Sequence, residues 1–461
     1  MGFIRTCTGG NGIKLTVALA ALSLLAACTG SGGAGSGETG SDSKKEGESQ
    51  SPPNTAAAPE PVTLTFFEPS TGQSKRLFME QYGAAIEKKF PHVKTNFVHI
   101  TPKDGGGYIL LPDLLAAGTH IDIVFSSIGA IHSRFIDFNL QTDITDLIQK
   151  YKFDLSRLDD TAVGLMKEIA GGGMYGLPVT NNPSVLVYNR DLFDKFGVSY
   201  PKDGMTWDEI YEVAKKLTRK EGDVNYRGFV TSFSHIALMN QLSANFVDRN
   251  TFKPLLVTDD KWKKHADNLI RFFRIPGNEV QGTNLAQMNK WFVEERIAAM
   301  NATQVWLSPS DPMNLVNWDM VSLPEYSDLR GVGSQPYPTY FNITNMAKGN
   351  ARDTAFQVIA WLTSDEYQLA KSKEGVLPMN KNPDIRAAFG ANMPFLQGRN
   401  VKALMPAKPA DASVWTKYTP VANSAMLEQL DLVLRGEIDV NVALRQAAET
   451  VEKKVAEDKA K

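Results

Sequence analysis

Residues 173–217 read GMYGLPVTNNPSVLVYNRDLFDKFGVSYPKDGMTWDEIYEVAKKL, and the order of apolar, polar and turn-forming residues in this stretch decides the fold. Two short extended runs are predicted at 176–179 and 184–188. A residue that precedes proline avoids the helical region, and the second run is β-branched, apolar and aromatic. The polar segment 180–183 separates the two runs as a turn. The stretch therefore predicts a strand, a polar interruption and a second strand.

Two helix starts follow in the same stretch. Residues 191–196 predict a short helix with an acid in its first turn, and Gly197 is placed to end it. Thr206 and Glu209 form a capping box, in which each side chain accepts a hydrogen bond from a backbone amide that the helix leaves unpaired. A second helix is therefore expected to begin there.

The combination resembles the family 1 extracellular solute-binding proteins, the ligand-capturing subunits of ABC importers. The resemblance rests on the order and spacing of six matches: Tyr175-Gly176-Leu177-Pro178, Tyr188-Asn189, Asp191-Leu192-Phe193, Gly197-Val198, Pro201 and Thr206-Trp207-Asp208-Glu209. A further family motif is matched by Gly375-Val376-Leu377-Pro378. The chain departs from the family before Trp306, because the usual glycine of that turn is absent and Ala302-Thr303-Gln304-Val305 stands there.

The resemblance implies an α/β fold of the type II periplasmic-binding-protein kind, with two α/β lobes joined by a hinge and a ligand cleft between them. A chain of 461 residues also exceeds what one core usually supports, so its length favours two lobes. Crossings between the lobes are expected near 178–184, 296–300 and 335–343. We expect lobe 1 to contain 62–178 plus about 298–340, and lobe 2 to contain 179–297 plus about 341–461.

The N-terminal segment 1–27 predicts a lipoprotein signal peptide. Arg5 and Lys14 provide positive charge, and the apolar run that follows Lys14 is too short to span a membrane. Leu25-Ala26-Ala27-Cys28 resembles the bacterial lipobox, whose cysteine is diacylated after cleavage, and more than one acyl chain gives stable anchoring. Segment 28–61 is expected to be the lipidated cysteine and a disordered tether, because it has almost no large apolar residue. These features predict a protein anchored to the outer face of the cytoplasmic membrane.

The composition is that of an ordinary soluble globular protein, with 43% hydrophobic and 22% charged residues. The formal net charge is only -2, which argues against a broad electrostatic surface for nucleic acid. No nucleic-acid partner is expected.

From residue 62 the chain alternates predicted strands and helices. A helix over 75–90 has an apolar stripe, and strands are expected around it at 62–67, 93–100 and 121–125. This alternation predicts a parallel sheet flanked by helices, and such sheets bind ligands at the carboxyl ends of their strands. Farther along, the pattern predicts a helix over 235–246 and a buried strand over 297–300.

A carbohydrate binder needs aromatic platforms and a few well-placed hydrogen-bonding groups in a crevice. The candidate ligand-binding residues stand at predicted strand ends, at a crossing, or carry a suitable ring: Glu68, Thr71, Ser126, Ser127, Asn182, His235, Trp306, Tyr340 and Trp415. Asn182 is favoured among the polar candidates. Its turn lies where the chain is expected to cross between lobes, and its amide both donates and accepts.

The sequence contains no H-E-x-x-H, G-x-S-x-G, P-loop or C-x-x-C motif, and its six histidines lack metal-ligand spacing. No catalytic residue, metal or cofactor is therefore predicted. Two other classes stay open. One is a membrane-anchored glycoside hydrolase, whose paired carboxylates sequence cannot place across a cleft. The other is a binding protein for ferric iron or a polyamine.

The mechanism expected of a two-lobed binder is hinge closure. A ligand held on one lobe contacts the other lobe only in the shut form, so it shifts the population toward that form. The prediction is a monomer, not an enzyme, that captures a small solute, in the first place a carbohydrate, and delivers it to the membrane subunits of an ABC permease.

Overall fold

The protein is represented by a computed structural model that describes residues 59–70, 74–103, 106–305, 307–308 and 311–460. The expected signal peptide, Cys28 and nearly all of the expected tether lie outside the described residues. Two candidate ligand-binding residues, Thr71 and Trp306, lie outside them as well.

The strands of the described residues follow the chain as β1 Val62–Glu68, β2 Val93–His99, β3 Thr101–Pro102, β4 Tyr108–Ile109, β5 Ile123–Ser127, β6 Gly176–Asn181, β7 Ser184–Asn189, β8 Arg219–Glu221, β9 Val224–Tyr226, β10 Val230–Thr231, β11 Met300–Gln304, β12 Trp318–Ser322, β13 Val332–Gly333, β14 Pro338–Ile343 and β15 Lys408–Pro409.

The α-helices of the same residues are α1 Lys75–Phe78, α2 Ala84–Lys89, α3 Leu111–Ala116, α4 Ile131–Arg134, α5 Thr145–Lys150, α6 Asp160–Ile169, α7 Arg190–Phe196, α8 Trp207–Leu217, α9 Phe233–Leu238, α10 Asp260–Ile270, α11 Leu285–Asn289, α12 Gly349–Leu362, α13 Asp365–Lys373, α14 Pro383–Ala387, α15 Thr419–Leu434 and α16 Val440–Lys459. A π-helical segment, Met79–Gly83, joins α1 to α2.

Two sheets organise these elements. The first has five strands in the order β2-β1-β5-β14-β6, and the second has four in the order β10-β11-β7-β12. In the first sheet β1 pairs in parallel with β2 and β5, as the β-α-β-α-β pattern predicts, whereas β14 pairs antiparallel with β5 and β6. In the second sheet only β10 and β11 are parallel, because β7 runs opposite to both of its neighbours. The predicted α/β architecture is confirmed, with mixed sheets.

Sheet membership corrects the expected assignment of segments to lobes. β11 pairs with β7 of the second sheet, so no crossing between sheets occurs near 296–300. β14 pairs with β5 and β6 of the first sheet, although 341 onward was assigned to lobe 2. The chain does cross between β6 and β7, and it crosses again between β12 and β14. The predicted strand over 297–300 begins only at Met300 and continues to Gln304.

Local signals account for several element boundaries. The side chains of Thr206 and Glu209 complete the predicted capping box of α8, and Gly197 ends α7 in the left-handed conformation at φ +64°. The helix predicted over 235–246 is limited to α9, which ends at Leu238. The Asn240 side chain bonds the backbone of both Ala237 and Ala244, which closes a loop in place of further helical turns.

Aromatic side chains fill the core beneath the first sheet. The ring of Phe78 stacks on that of Phe97 with centroids 4.6 Å apart, and Phe125 stacks on Phe341 at 4.7 Å. Tyr82 closes this group, with its ring edge-on to Phe341 at 5.0 Å. Helix α1 and the π-helical segment are therefore fixed over β5 and β14 by the same rings that form the core.

The close approach of β6 to β14 can be tested by a substitution at Gly176. A Cβ at this position would overlap the carbonyl oxygen of Phe341, a backbone atom that cannot move aside. We expect Gly176→Ala to lower the free energy of unfolding by about 1–3 kcal/mol, as overpacked cores do. Urea unfolding of the two proteins measures the difference.

Gly164→Ala is the matched control. Gly164 lies within α6, and a Cβ there would have no neighbour within 4 Å. This change should stabilise the protein by about 0.5–1 kcal/mol, because alanine favours a helix over glycine. Equal effects of the two substitutions would show that the β6–β14 contact is not tight.

Candidate functional site

The two sheets face each other along one edge. The directly opposed pair Thr339 and Ser127, and the pair Pro338 and Asn181, show that β5, β14 and β6 meet at the edge where β5 ends. In the second sheet Ser184 opposes Gln304, so β7 begins where β11 ends. Since Asn181 and Ser184 are three positions apart, the chain crossing brings these two edges together. The carboxyl ends of β1, β5 and β11 therefore meet in one region.

A cavity of about 390 Å³ lies at these edges. Its walls come from the first turns after β1, the β6–β7 crossing, the start of β14, the residues after β11, and the C-terminal end of α13. The lining residues used below are Glu80, Tyr82, Asn181, Asn182, Val305, Leu307, Thr339, Lys371 and Glu374. The volume falls at the low end of the roughly 300–1,000 Å³ that small-molecule pockets occupy.

Asn182 lines this cavity and carries a buried side-chain donor without a partner in the described part of the chain. The residue is 8% exposed, and its side-chain Nδ2 has no hydrogen-bond partner among the described residues. The backbone carbonyl oxygen of Asn182 accepts a hydrogen bond from Gln304 Nε2 at 2.7 Å, which fixes the backbone at this position. Because burying an amide without a partner costs about 1–3 kcal/mol, this group is suited to a ligand acceptor.

Tyr82 lines the cavity beyond the end of β1, and the buried Glu68 lies close to it. Burial raises the pKa of the Glu68 carboxyl, although Ser70 donates to it through its backbone N–H at 3.0 Å and its hydroxyl at 2.7 Å. Burial also raises the pKa of the Tyr82 hydroxyl, and the Glu68 charge adds to the effect. The Tyr82 hydroxyl therefore stays protonated and can both donate and accept a hydrogen bond, next to the apolar face of its own ring.

A second part of the cleft is an aromatic cluster formed by Tyr337, His235 and Trp415. The Tyr337 ring lies 5.8 Å from the His235 ring and 6.2 Å from the Trp415 ring. Ser127 Oγ lies 3.4 Å from the Tyr337 hydroxyl. The Tyr337 backbone N–H donates to Asn181 Oδ1 at 2.8 Å, which joins this cluster to the cavity wall. Burial lowers the pKa of His235, so its ring is neutral near neutral pH.

The structure thus brings five of the nine candidates to the facing edges: Glu68, Ser127, Asn182, His235 and Trp415. Two other candidates, Ser126 and Tyr340, are buried and do not line the cavity. The Tyr340 hydroxyl donates to the carbonyl of Ala162 in α6 at 2.7 Å, and its side chain is fully buried. Ser126 opposes Tyr340 and shares its face, while the neighbouring Thr339 borders the cavity, because successive side chains of a strand point to opposite faces.

Several residues of the cleft were missed in the sequence. Tyr82 stands in the apolar stripe of its helix, and Tyr337 immediately precedes a proline and β14. The neighbouring sequence does not show whether either residue lines a cavity or packs in the core. Lys371 lies in α13 and Glu374 directly follows it, and only long-range packing brings these residues to the cleft.

A larger depression of about 770 Å³, lined by Arg227, Trp291 and Asp431 among others, lies elsewhere. Arg227 bridges Ala298, at the opposite end of the second sheet from Gln304. This surface is therefore separate from the cleft.

Within the described ranges, His, Cys, Asp and Glu side chains do not gather in groups of three or more that could hold a metal ion. The helices of those same ranges include none long and apolar enough to cross a membrane.

Comparison with known proteins identifies relatives over much of the chain. A putative binding protein of Brucella abortus is 30% identical over 168 residues, which is 36% of this chain and 37% of that protein, so the match spans little more than a third of the relative's length. The sn-glycerol-3-phosphate-binding periplasmic protein UgpB of Brucella melitensis is 24% identical over 337 residues, or 64% of this chain and 71% of the relative.

A solved structure shows the same fold. The ABC substrate-binding protein Lmo0181 of Listeria monocytogenes, in complex with cycloalternan, superposes with a TM-score of 0.65 at 19% identity, covering 86% of this chain and 100% of that one. The sequence match to the bacterial extracellular solute-binding proteins extends over residues 69–369, more than half of the chain. This protein therefore belongs to the bacterial extracellular solute-binding protein family.

Proposed function

We propose that the protein binds a small sugar or polyol in the cleft between its two sheets and delivers it to an ABC permease. The observation that carries the proposal is the cavity of about 390 Å³ at the facing edges, with the buried, unpaired amide of Asn182 in its wall. The Listeria protein of similar fold was solved in complex with cycloalternan, which supports a carbohydrate here.

The chemistry of the cleft suits a hydroxylated ligand. Asn182 Nδ2 donates, the Tyr82 hydroxyl donates or accepts, and Thr339 adds a second hydroxyl at the start of β14. Tyr82 supplies a ring in the cavity wall, on which the C–H face of a sugar packs. Tyr337 and Trp415 are buried here, so their rings would contact a ligand only after the lobes move apart. Val305 and Leu307 give the opposite wall an apolar character.

Hinge closure is the proposed mechanism, and one ion pair links the parts that would move. Arg249, in the loop after α9, lies 2.6 Å from Glu168 of α6, which packs on the first sheet. Burial raises the pKa of Glu168, so this carboxylate has lost part of its solvation to form the pair. The contact would favour a shut cleft over an open one.

Anchoring by a lipid on Cys28 is a further part of the proposal, and the lipobox-like Leu25-Ala26-Ala27-Cys28 supports it. It would hold the protein on the outer face of the membrane, close to a permease. Binding without catalysis is proposed as well, since Glu80 and Glu374 of the cavity wall already accept from Arg76 and Lys371. An iron site would need paired tyrosines, but the Tyr367 hydroxyl beside Tyr82 donates to the carbonyl of Gln81.

A thermal-shift screen of residues 59–461 against sugars, polyols, amines, ferric complexes and peptides tests this function. The expected result is stabilisation by at least one sugar or polyol, because a ligand that binds only the folded state raises its stability. Stabilisation by an amine or ferric complex alone would reject the carbohydrate assignment, and release of monosaccharide from an oligosaccharide would reject binding without catalysis.

Substitutions in the cleft test the site. We expect Asn182→Ala and Tyr82→Phe each to weaken the best sugar or polyol roughly fivefold, because each loses one hydrogen bond worth about 1 kcal/mol. Isothermal titration calorimetry measures the dissociation constants.

Tyr340→Phe is the control for that experiment. It removes the bond to Ala162 in the core, so it should lower stability by about 1 kcal/mol without changing the affinity. The site assignment fails if Tyr340→Phe weakens binding as much as the two cleft variants do.

The ion pair gives a separate prediction on closure. We expect Arg249→Gln to weaken ligand binding by about 1.5- to 5-fold, the effect of losing a partly exposed pair worth about 0.2–1 kcal/mol. Small-angle scattering of the ligand-free variant should also show a larger radius of gyration than the parent.

Lys263→Gln is the matched control, because Lys263 pairs with Asp267 inside α10 and joins no two lobes. Indistinguishable affinities and radii for the two variants would show that Arg249 does not stabilise a shut form.

A further inference from the structure

We infer that the cleft selects uncharged sugars or polyols and discriminates against their phosphorylated forms. This inference rests on the proposed function and narrows its ligand class. A site that binds a phosphate group needs side chains with unspent positive charge, such as a free lysine or a forked arginine. The described residues that line the cavity include neither.

The described cavity wall contains one basic residue, Lys371, and its charge is already neutralised. Its Nζ lies 2.8 Å from Glu374 Oε2 and 3.4 Å from the carbonyl oxygen of Glu80, and the side chain is only 13% exposed. Two of the three ammonium donors are therefore used within the protein.

The remaining charges of the wall are negative. Glu80 and Glu374 both line the cavity, where Arg76 and Lys371 already pair with them, and the buried Glu68 stands behind Tyr82. A phosphate entering the cavity would approach carboxylates before it could reach a cation without a partner. Two negative charges repel each other, most strongly where water is excluded.

Backbone dipoles act in the same direction. α13 ends at Lys373, and Glu374, Gly375 and Val376 line the cavity directly after it, so the helix presents its partly negative C-terminal end. The N-terminal end of α1 also borders the cavity near Leu77. There the Leu77 amide already donates to Ser74 Oγ at 3.2 Å.

The aromatic cluster itself, Tyr337, His235 and Trp415, adds no cation near neutral pH either. Burial lowers the pKa of His132, which lies between the two lobes, to about 4, and it lowers the pKa of His235, so both rings are neutral near neutral pH. Lys417, two residues after Trp415, is exposed, and its ammonium lies 5.0 Å from the Tyr418 ring centroid. The residues outside the described part that follow β1 and β11 closely in sequence, at 71–73, 306 and 309–310, have uncharged side chains.

Matched pairs of ligands test the inference directly. Calorimetry of residues 59–461 would compare mannitol with mannitol-1-phosphate, glucose with glucose-6-phosphate, and glycerol with sn-glycerol-3-phosphate, after the thermal-shift screen has shown which pair binds. The uncharged member should bind at least tenfold more tightly than its phosphorylated partner. Equal or tighter binding of a phosphorylated member overturns the inference and leaves the proposed function standing.

If neither member of any pair binds, and no other sugar or polyol does, the carbohydrate function fails and the inference fails with it. The two failures are therefore distinguishable. The UgpB relative, named for sn-glycerol-3-phosphate, makes the glycerol pair the most demanding of the three.

A charge variant tests the physical cause. Glu374→Gln removes the partner of Lys371, so the discrimination against the phosphorylated ligand should shrink at least threefold. Glu366→Gln is the control, because Glu366 lies in the same helix but pairs with Lys89 outside the cavity. Unchanged discrimination in Glu374→Gln, or the same change in both variants, would overturn the role assigned to the Lys371–Glu374 pair.

Discussion

The two chain crossings are hydrogen-bonded to each other, and the position of the cleft depends on those bonds. Asn181 Oδ1 accepts from the backbone N–H of Tyr337 at 2.8 Å, and Ser334 Oγ accepts from the backbone N–H of Ser184 at 3.0 Å. Both acceptors belong to the crossing opposite to their donor. Ser184 and Ser334 are buried, so breaking their bond would leave a backbone amide unpaired at a cost of about 1–3 kcal/mol. The crossings therefore keep their register, and the two sheet edges keep facing each other.

The second lobe is assembled from distant parts of the chain, and buried side-chain amides join them. Gln335 Nε2 donates to the carbonyl of Asn240 at 2.7 Å and to Ser413 Oγ at 2.8 Å, while Gln335 Oε1 accepts from the Ser413 N–H at 2.7 Å. Residues between and after the strands of the second sheet thus meet at one polar centre. Such a network is stable only when every polar group in it has a hydrogen-bond partner, as the groups named here have. Tyr337 and Trp415 closely follow Gln335 and Ser413 in the sequence, so the network also holds the aromatic cluster in place.

The sequence predicted what short-range chemistry controls. The capping box at Thr206, the end of α7 at Gly197 and the polar interruption at Asn182 depend on residues within a few positions of one another, and each lies where it was expected. Strand pairing depends on residues far apart, and there the prediction was right for β1, β2 and β5 but wrong for β11 and β14. The apolar run that ends at Met300 is compatible with either sheet, and only its pairing with β7 assigns it to the second.

The candidate site followed the same division. Strand ends are readable, so Glu68 and Ser127 were placed at the correct edge, but the side on which a strand residue points changes with every position. Tyr340 and Thr339 differ by one residue, and the first lies under α6 while the second borders the cavity. Tyr82 could not be separated from its helical stripe, because its role comes from a cavity that residues nearly 300 positions away help to enclose. The pattern of apolar and polar residues within one segment cannot show which distant residues will enclose a cavity.

We propose that the ligand lies between the facing edges of the two sheets. A crystal structure of residues 59–461 with the best-binding sugar or polyol tests this most directly. We expect ligand density within hydrogen-bonding distance of Asn182 and Tyr82, with a ring of the Tyr337 and Trp415 cluster against the sugar face. Density only in the depression beside Arg227 and Trp291, with the interlobe cavity filled by water, would contradict it.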